Sequence, residues 1–308
     1  MKPSLLLVHL SVFIFGSMSL QAAEKPASCY LDLREQMFAD DGMMDVRLVT
    51  GFLDVTGTIK SNKDLGGREE LETYEATLKK LGFTRVTSKD VLAEMKISNG
   101  QGFVYEKRDS KGRPMRVSLM SSTDEDKKYN VFESRNAEAF FESALKEADV
   151  VIYSGHSRDG GGPDMRKPIT TKDGNGNVHV DYAHYKKAKP GLKRIEEHLG
   201  KTKDKPELIA SLSCSSYDHF YSFLKDNLQC ADQSTGLILS TRTAYHYEGV
   251  EMAEAILKSL ARGSDLNEEL KSKKVLACAS IFDDSKPVPF RYDQVNPTTG
   301  KAAPKKQH

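Results

Sequence analysis

The chain has no excess of charge of either sign. Its 45 lysines and arginines nearly cancel its 44 aspartates and glutamates, and the basic residues form no long stripe. Binding to phosphate backbones depends on clustered positive charge, so nucleic acid is not expected as a partner. Low-complexity tracts and internal repeats are missing as well. What remains is long enough for one large domain or two small ones with an ample core.

Long apolar runs are also scarce, since the only one lies at the N-terminus. Lys2 precedes an apolar stretch over residues 5–20, and small residues follow it up to Ala23. This order is typical of a secretory signal peptide over residues 1–23. The alternative is a membrane anchor, for which the run is short. We therefore expect a periplasmic or secreted protein with no membrane contact after signal removal.

Cysteine is rare. The four cysteines of an exported chain could pair into two disulfides with three connectivities, and the count leaves open whether one thiol stays free. They are Cys29, Cys214, Cys230 and Cys278.

Short apolar runs alternate with amphipathic helical segments through the rest of the chain. The run 150–154 is apolar throughout, as in a strand that is buried on both faces. Such alternation predicts an α/β fold, with a mainly parallel central sheet and helices on both faces. Further strands are expected at 46–55, 207–213 and 236–241, a hairpin insertion at 103–107 and 115–120, and helices at 68–81, 136–148, 190–199, 217–228 and 249–262.

We expect one domain over residues 24–284 and a flexible tail over 285–308. Within the domain, the N-terminal part 24–135 carries the hairpin insertion, and the part 136–284 carries the candidate chemistry. The N-terminal part is either a pro-segment or an integral part of the sheet. The expected strand and helix within it favour integration.

Two expected strands end in reactive side chains. His156 follows the strand 150–154, and Cys214 follows the strand 207–213. In parallel sheets the ligand site lies beyond the carboxyl ends of the strands, so neighbouring strands would bring these two residues together. A cysteine beside a histidine forms an activated nucleophile. The helix expected after Ser216 would favour the thiolate further.

Three backbone N–H groups are candidates for stabilising an oxyanion, those of Cys214, Gly155 and Ser157. Asp159, in the glycine-rich loop after His156, is a candidate for orienting the imidazole or contacting substrate. Asp218 and His219 also follow Cys214 closely, but their side chains are expected to point away from it on the next helix.

No cofactor or metal is expected. His179, His184 and His198, with Asp181, could be imagined as metal ligands, but they fall on a loop and a helix without the spacing of a metal site.

The segments 148–157, 207–216 and 236–270 resemble the caspase-like cysteine peptidases. This group includes caspases, legumains, gingipains, separases and CHAT-type bacterial domains. The shared pattern is an apolar strand that ends in His-Gly, followed by a strand that ends in a small residue and Cys. A later helix often shows the spacing of leucine, glycine and small residues that is seen at 256–266. The resemblance covers roughly residues 136–272. It implies a three-layer sandwich, a His156–Cys214 dyad and a polypeptide substrate.

The resemblance also implies that the segment 241–249, which begins at Thr241, forms a wall of the primary specificity pocket. Two positions depart from the pattern. Ser157 replaces the usual glycine after the histidine, and Ser215-Ser216 replaces the Arg-Gly found in caspases. No preference for cleavage after aspartate is therefore carried over.

Two alternatives stay open beside an exported cysteine endopeptidase. The first is an inactive binding or structural module that keeps the fold. The second is a serine esterase in which Ser157 is the nucleophile of an elbow resembling G-x-S-x-G. That motif requires glycine where Asp159 stands, and a long helix where the sequence is rich in glycine, proline and asparagine.

Overall fold

The computed structural model describes residues 29–51, 68–97, 101–122, 131–200, 206–228, 234–270 and 290–295. The expected signal peptide lies outside these residues, as do Cys230, Cys278 and the side chain of Cys29, so no disulfide pairing is described. Within the described part of the chain, no helix is long and apolar enough to cross a membrane.

Strands and helices alternate along the chain as expected. The strands are β1 (Met44–Thr50), β2 (Thr84–Arg85), β3 (Gly102–Arg108), β4 (Pro114–Ser121), β5 (Val150–Ser154), β6 (Thr170–Lys172), β7 (Val178–Val180), β8 (Leu208–Leu212), β9 (Thr235–Ser240) and β10 (Phe290–Val295). The helices are α1 (Cys29–Gln36), α2 (Arg68–Lys80), α3 (Lys89–Glu94), α4 (Val131–Glu147), α5 (Tyr182–Ala188), α6 (Pro190–Leu199), α7 (Ser216–Leu228), α8 (His246–Arg262) and α9 (Leu266–Glu269).

Eight of these strands form one central sheet in the order β10-β9-β8-β5-β1-β4-β3-β2. The five strands from β9 to β4 run parallel, and the outer strands β10, β3 and β2 pair antiparallel. From β1 the chain places β4 on one side and β5 on the other. The boundary between β1 and β5 is therefore the topological switch point, where open α/β sheets bind their ligands.

Helices cover both faces of the sheet. One apolar core lies under α1, α2 and α8, and the other lies under α4, α6 and α7. The side chains of β5 and β8 are buried along their whole length, as is required of strands between two helical layers. The expected α/β class, the mainly parallel sheet and the two helical faces are therefore confirmed.

The N-terminal part of the chain is integral to the sheet. Strand β4 pairs in parallel with β1, so the expected hairpin of β3 and β4 is no insertion and continues the main sheet. The expectation of a flexible tail is wrong for residues 290–295, because they pair with β9 as β10. Of the expected strand 46–55, residues 46–50 belong to β1 and residues 52–55 lie outside the described part.

The amino ends of the central strands carry buried charges. Arg47 donates hydrogen bonds to Asp45, at 2.9 Å, and to Ser143, also at 2.9 Å, and lies 3.1 Å from Glu147. The backbone N–H of Asp45 donates to Asp149 at 2.6 Å. Burial raises the pKa of Asp149 to about 8.

Candidate active site

The register of β5 and β8 determines where His156 and Cys214 lie. These strands are adjacent and parallel, and Ser154 is paired with Leu212 at their carboxyl ends. His156 and Cys214 each follow two residues beyond this pair. Neighbouring strands lie about 4.8 Å apart, so the two residues leave the same edge of the sheet side by side. This edge includes the switch point between β1 and β5.

A network of hydrogen bonds fixes the loop that carries His156. The hydroxyl of Tyr153 donates to the His156 carbonyl at 3.0 Å and accepts from the backbone N–H of Asp164 at 3.1 Å. A Cβ at position 155 would lie 2.6 Å from the same hydroxyl, so only glycine fits between them. The glycine directly before His156 is therefore required for a steric reason.

A buried ion pair closes the other side of this loop. Arg158 lies 3.1 Å from the carboxylate of Asp164, which also accepts a hydrogen bond from Tyr185 at 3.0 Å. Burial and the charge of Asp164 raise the pKa of Tyr185 to about 12, so its hydroxyl remains a donor at ordinary pH. These contacts therefore hold the loop that carries His156 in a fixed conformation.

The turn after β8 is equally constrained. Ser215 has a left-handed backbone with φ of +49°, and its N–H donates to the carbonyl of Arg242 at 2.9 Å. The buried hydroxyl of Ser216 donates to the Ser211 carbonyl at 2.7 Å and accepts from the N–H of Ser240 at 2.7 Å. This one side chain fixes the start of α7 to both β8 and β9, which gives Ser216 a structural role.

Cys214 is half-buried beneath the segment that follows β9. Its thiol donates to the carbonyl of Ala244, with Sγ and O 3.5 Å apart. The same segment is held by an ion pair of 3.0 Å between Arg242 and Glu248, and it starts at the half-buried Thr241. Two exposed tyrosines, Tyr245 and Tyr247, stack beyond Ala244 with their ring centroids 5.7 Å apart.

Cys214 also lies at the N-terminus of a long helix. Helix α7 begins two residues after it and continues for 13 residues. The dipole of the helix favours negative charge at this end, as a thiolate nucleophile requires.

Asp159 contacts two helices, α5 and α7. Its carboxylate lies 2.8 Å from Lys186 of α5 and 3.8 Å from Nε2 of His219 on α7. That His219 points away from Cys214 stays a prediction, and its ring faces the loop that follows His156. A helical pattern shows which residues share a face but not which loop packs against that face, so the sequence held no signal for this contact.

The geometry around Ser157 is unlike that of a serine nucleophile. Ser157 is only 4% exposed, and the chain continues into a short 3-10 turn at 158–160 instead of a long helix. A nucleophile elbow needs an accessible hydroxyl at the start of a helix. The backbone carbonyl of Ser157 accepts from the N–H groups of Gly160 and Gly162, which makes it part of a tight turn.

The histidines considered as metal ligands each have a different partner. His179, on the exposed strand β7, contacts Asp173 at 3.1 Å, His184 packs edge-on against Tyr185, and His198 lies 3.4 Å from Glu142. Within the ranges that the structure describes, no group of three or more histidine, cysteine or acidic side chains is arranged to hold a metal ion.

Comparison with known proteins assigns no family. No family model matches the chain, and a search of curated proteins finds no sequence similar to it.

Proposed function

We propose that the chain is a cysteine hydrolase, and specifically an endopeptidase, with a His156–Cys214 dyad. One observation carries the proposal: the parallel pairing of β5 with β8 in the register Ser154 to Leu212. It brings a histidine and a cysteine to equivalent positions beyond adjacent strand ends. Nucleophile and base must come within hydrogen-bond reach of each other, and adjacent strand ends support a dyad of this kind.

In this mechanism Cys214 attacks the peptide carbonyl as a thiolate, and an acyl-enzyme forms when the amine leaves. His156 protonates the leaving amine and then removes a proton from the water that hydrolyses the thioester. The N–H of Cys214 and those of the turn from Gly155 to Ser157 would bind the oxyanion. The N–H of Ser215 is already bonded to Arg242 and takes no part.

The finer fold assignment belongs to the same proposal. A parallel sheet between two helical layers, with the dyad at the ends of adjacent strands, is what a caspase-like three-layer sandwich would present. We propose a polypeptide as substrate, with Thr241 and the segment after it beside the bound chain. Such an enzyme would act in the periplasm or outside the cell after its signal peptide is removed.

A binding module without catalysis is the second candidate. The observation that favours it is the direction of the Cys214 thiol, which donates to the carbonyl of Ala244. A thiol held by a carbonyl is less available to an imidazole base. The fold would then serve recognition alone.

The test compares wild type with Cys214→Ala, His156→Ala and Ser157→Ala, each purified from the periplasm or the medium with its mature N-terminus read by mass spectrometry. We expect the first two variants to lose at least about a thousandfold in cleavage of a denatured, fluorescently labelled protein, because each removes one member of the dyad. Their unfolding transitions should match wild type.

Ser157→Ala is the control for the serine mechanism and should keep its hydrolytic activity within about tenfold of wild type. Wild-type activity in Cys214→Ala would reject the cysteine mechanism. A wild type without activity, whose Cys214 reacts with iodoacetamide no faster than glutathione, would favour the binding module.

A further inference from the structure

The turn after His156 has an unusual backbone. Arg158, Asp159 and Gly160 all have positive φ, at +49°, +54° and +89°. Two of these residues have side chains, for which the left-handed region is unfavourable. Such a backbone persists only where surrounding contacts hold it in place.

Contacts to four elements hold this turn. Tyr153 of β5 and the Arg158–Asp164 pair hold it on the sheet side, and Lys186 of α5 pairs with Asp159. The N–H of Gly191, at the start of α6, donates to the carbonyl of Gly161 at 2.7 Å. The fourth element is α7, the helix that begins directly after Cys214.

His219 makes the contact from α7. Its Nε2 lies 3.8 Å from Asp159, and a Cβ at Gly160 would lie 3.7 Å from the imidazole ring. The ring thus covers the bare face of Gly160 while its polar edge faces the carboxylate. The backbone N–H of His219 donates to the carbonyl of Ser215 at 3.1 Å. His219 therefore links the turn after Cys214 to the turn after His156.

A displacement of Asp159 or Gly160 would be transmitted to His156. The carbonyl of Ser157 accepts from Gly160 at 3.1 Å and from Gly162 at 2.8 Å, so residues 157–162 form one bonded turn. His156 immediately precedes that turn. A catalytic group that is displaced by about 1 Å can lose on the order of a hundredfold in rate.

We propose that the contact of His219 with Asp159 and Gly160 sets the position of His156 relative to Cys214, which makes His219 a positioning residue of the dyad. This proposal rests on the proposed cysteine hydrolase. His219 itself touches neither substrate nor the reacting atoms in this role. The pair Asp159–Lys186 holds the same turn from α5, so removal of His219 should loosen the turn on one side and leave the fold intact.

The experiment measures kcat, KM and the rate of Cys214 alkylation by iodoacetamide from pH 5 to 9. The variants are His219→Ala, Asp159→Asn, the double variant, and His156→Ala. The matched control is His198→Ala, which removes a histidine of α6 that lies 3.4 Å from the carboxylate of Glu142 on α4.

We expect His219→Ala to lower kcat by about ten- to a hundredfold with KM within about twofold of wild type, because substrate contacts are retained. Alkylation near pH 7 should slow, and its pH profile should move to higher pH, since the imidazole no longer promotes the thiolate. Asp159→Asn should show the same changes to a smaller extent. The control His198→Ala should resemble wild type in all of these measurements.

The double variant tests whether the two residues act through one contact. Residues that act through a shared contact are non-additive, so the double variant should lose no more than His219→Ala alone. Additive losses, or a His219→Ala variant with the kcat and alkylation profile of wild type, would overturn the positioning role. If instead His156→Ala leaves the alkylation profile unchanged, the dyad itself is wrong, whatever His219 does.

Discussion

The two ends of the central sheet differ in what they do with polar side chains. At the amino ends, Arg47 and Asp45 are buried, and Asp45 is bonded both to Arg47 and to the half-buried Asp149. At the carboxyl ends, β5 and β8 are followed by short, hydrogen-bonded turns that carry His156 and the half-buried thiol of Cys214. One end encloses its charges, whereas the other carries a histidine and a cysteine that are each half-buried. Residues expected to matter for stability are thus separated from those that the proposed mechanism uses.

Backbone strain follows the same division. Among the described residues, five residues other than glycine have a positive φ. Three of them, Arg158, Asp159 and Ser215, lie beyond the carboxyl ends of β5 and β8. The other two, Lys96 and Lys189, lie at helix ends, where left-handed residues are common. Unfavourable backbone conformations cluster at functional sites because neighbouring contacts there sustain them.

The largest effect on stability is expected from Arg47→Ala at the amino end. The substitution leaves Asp45 buried without its main cationic partner, and loss of one partner of a buried pair costs about 3–5 kcal/mol. Urea denaturation would measure the change, with Arg262→Ala as the control. Arg262 pairs with Glu269 at an exposed site, so its loss should cost less than about 1 kcal/mol. Equal costs for the two variants would contradict the enclosed character of this end.

A pH-dependent effect of intermediate size is expected from Asp149→Asn. Burial raises the pKa of Asp149 to about 8 in the folded protein, against an unfolded value of about 3.9. The folded state therefore binds this proton more tightly, and its stabilising contribution is complete below pH 4 and lost as pH rises through 8. Asparagine can still accept the hydrogen bond from Asp45 and does not titrate.

The free energy of unfolding of Asp149→Asn should therefore rise relative to wild type between pH 5 and pH 8, by at most about 1.4 kcal/mol per pH unit. Denaturation at several pH values measures it, and Asp218→Asn, at an exposed position on α7, serves as the control. A difference between Asp149→Asn and wild type that stays constant with pH would show that Asp149 is ionised in the folded protein.

The smallest effect on stability is expected from Ser216→Ala at the carboxyl end. The variant leaves the Ser211 carbonyl and the Ser240 N–H without their partner, at a cost of about 1–3 kcal/mol. Because Ser216 fixes the turn that carries Cys214, alkylation of the thiol should change as well. Ser222→Ala, on the exposed face of the same helix, should alter neither quantity. Loss of stability with unchanged alkylation would mean that Cys214 is positioned by other contacts.

Much of the scaffold could be predicted from the sequence. The apolar run 150–154 and the proline at the start of 190–199 gave the bounds of β5 and α6, because burial on both faces and the fixed φ of proline leave clear local patterns. The placement of His156 and Cys214 at one edge followed from the parallel sheet. Neither needed information about distant contacts.

Other features depend on distant contacts and leave no local pattern. Strand β10 has mixed polarity, and only its pairing with β9 makes it a strand. The contact of His219 with Asp159 joins residues that are 60 positions apart in the sequence. Helical periodicity describes one helix at a time and carries no information on the loop that meets it.

The antiparallel strand β10 has a consequence for the order in which the sheet can assemble. Its six residues cover the outer edge of β9, from which they are separated by a long stretch of sequence. Until they pair, β9 presents an open row of N–H and C=O groups that can pair with other chains. A partly folded chain in which β10 is still unpaired would therefore be more prone to aggregation than the completed sheet.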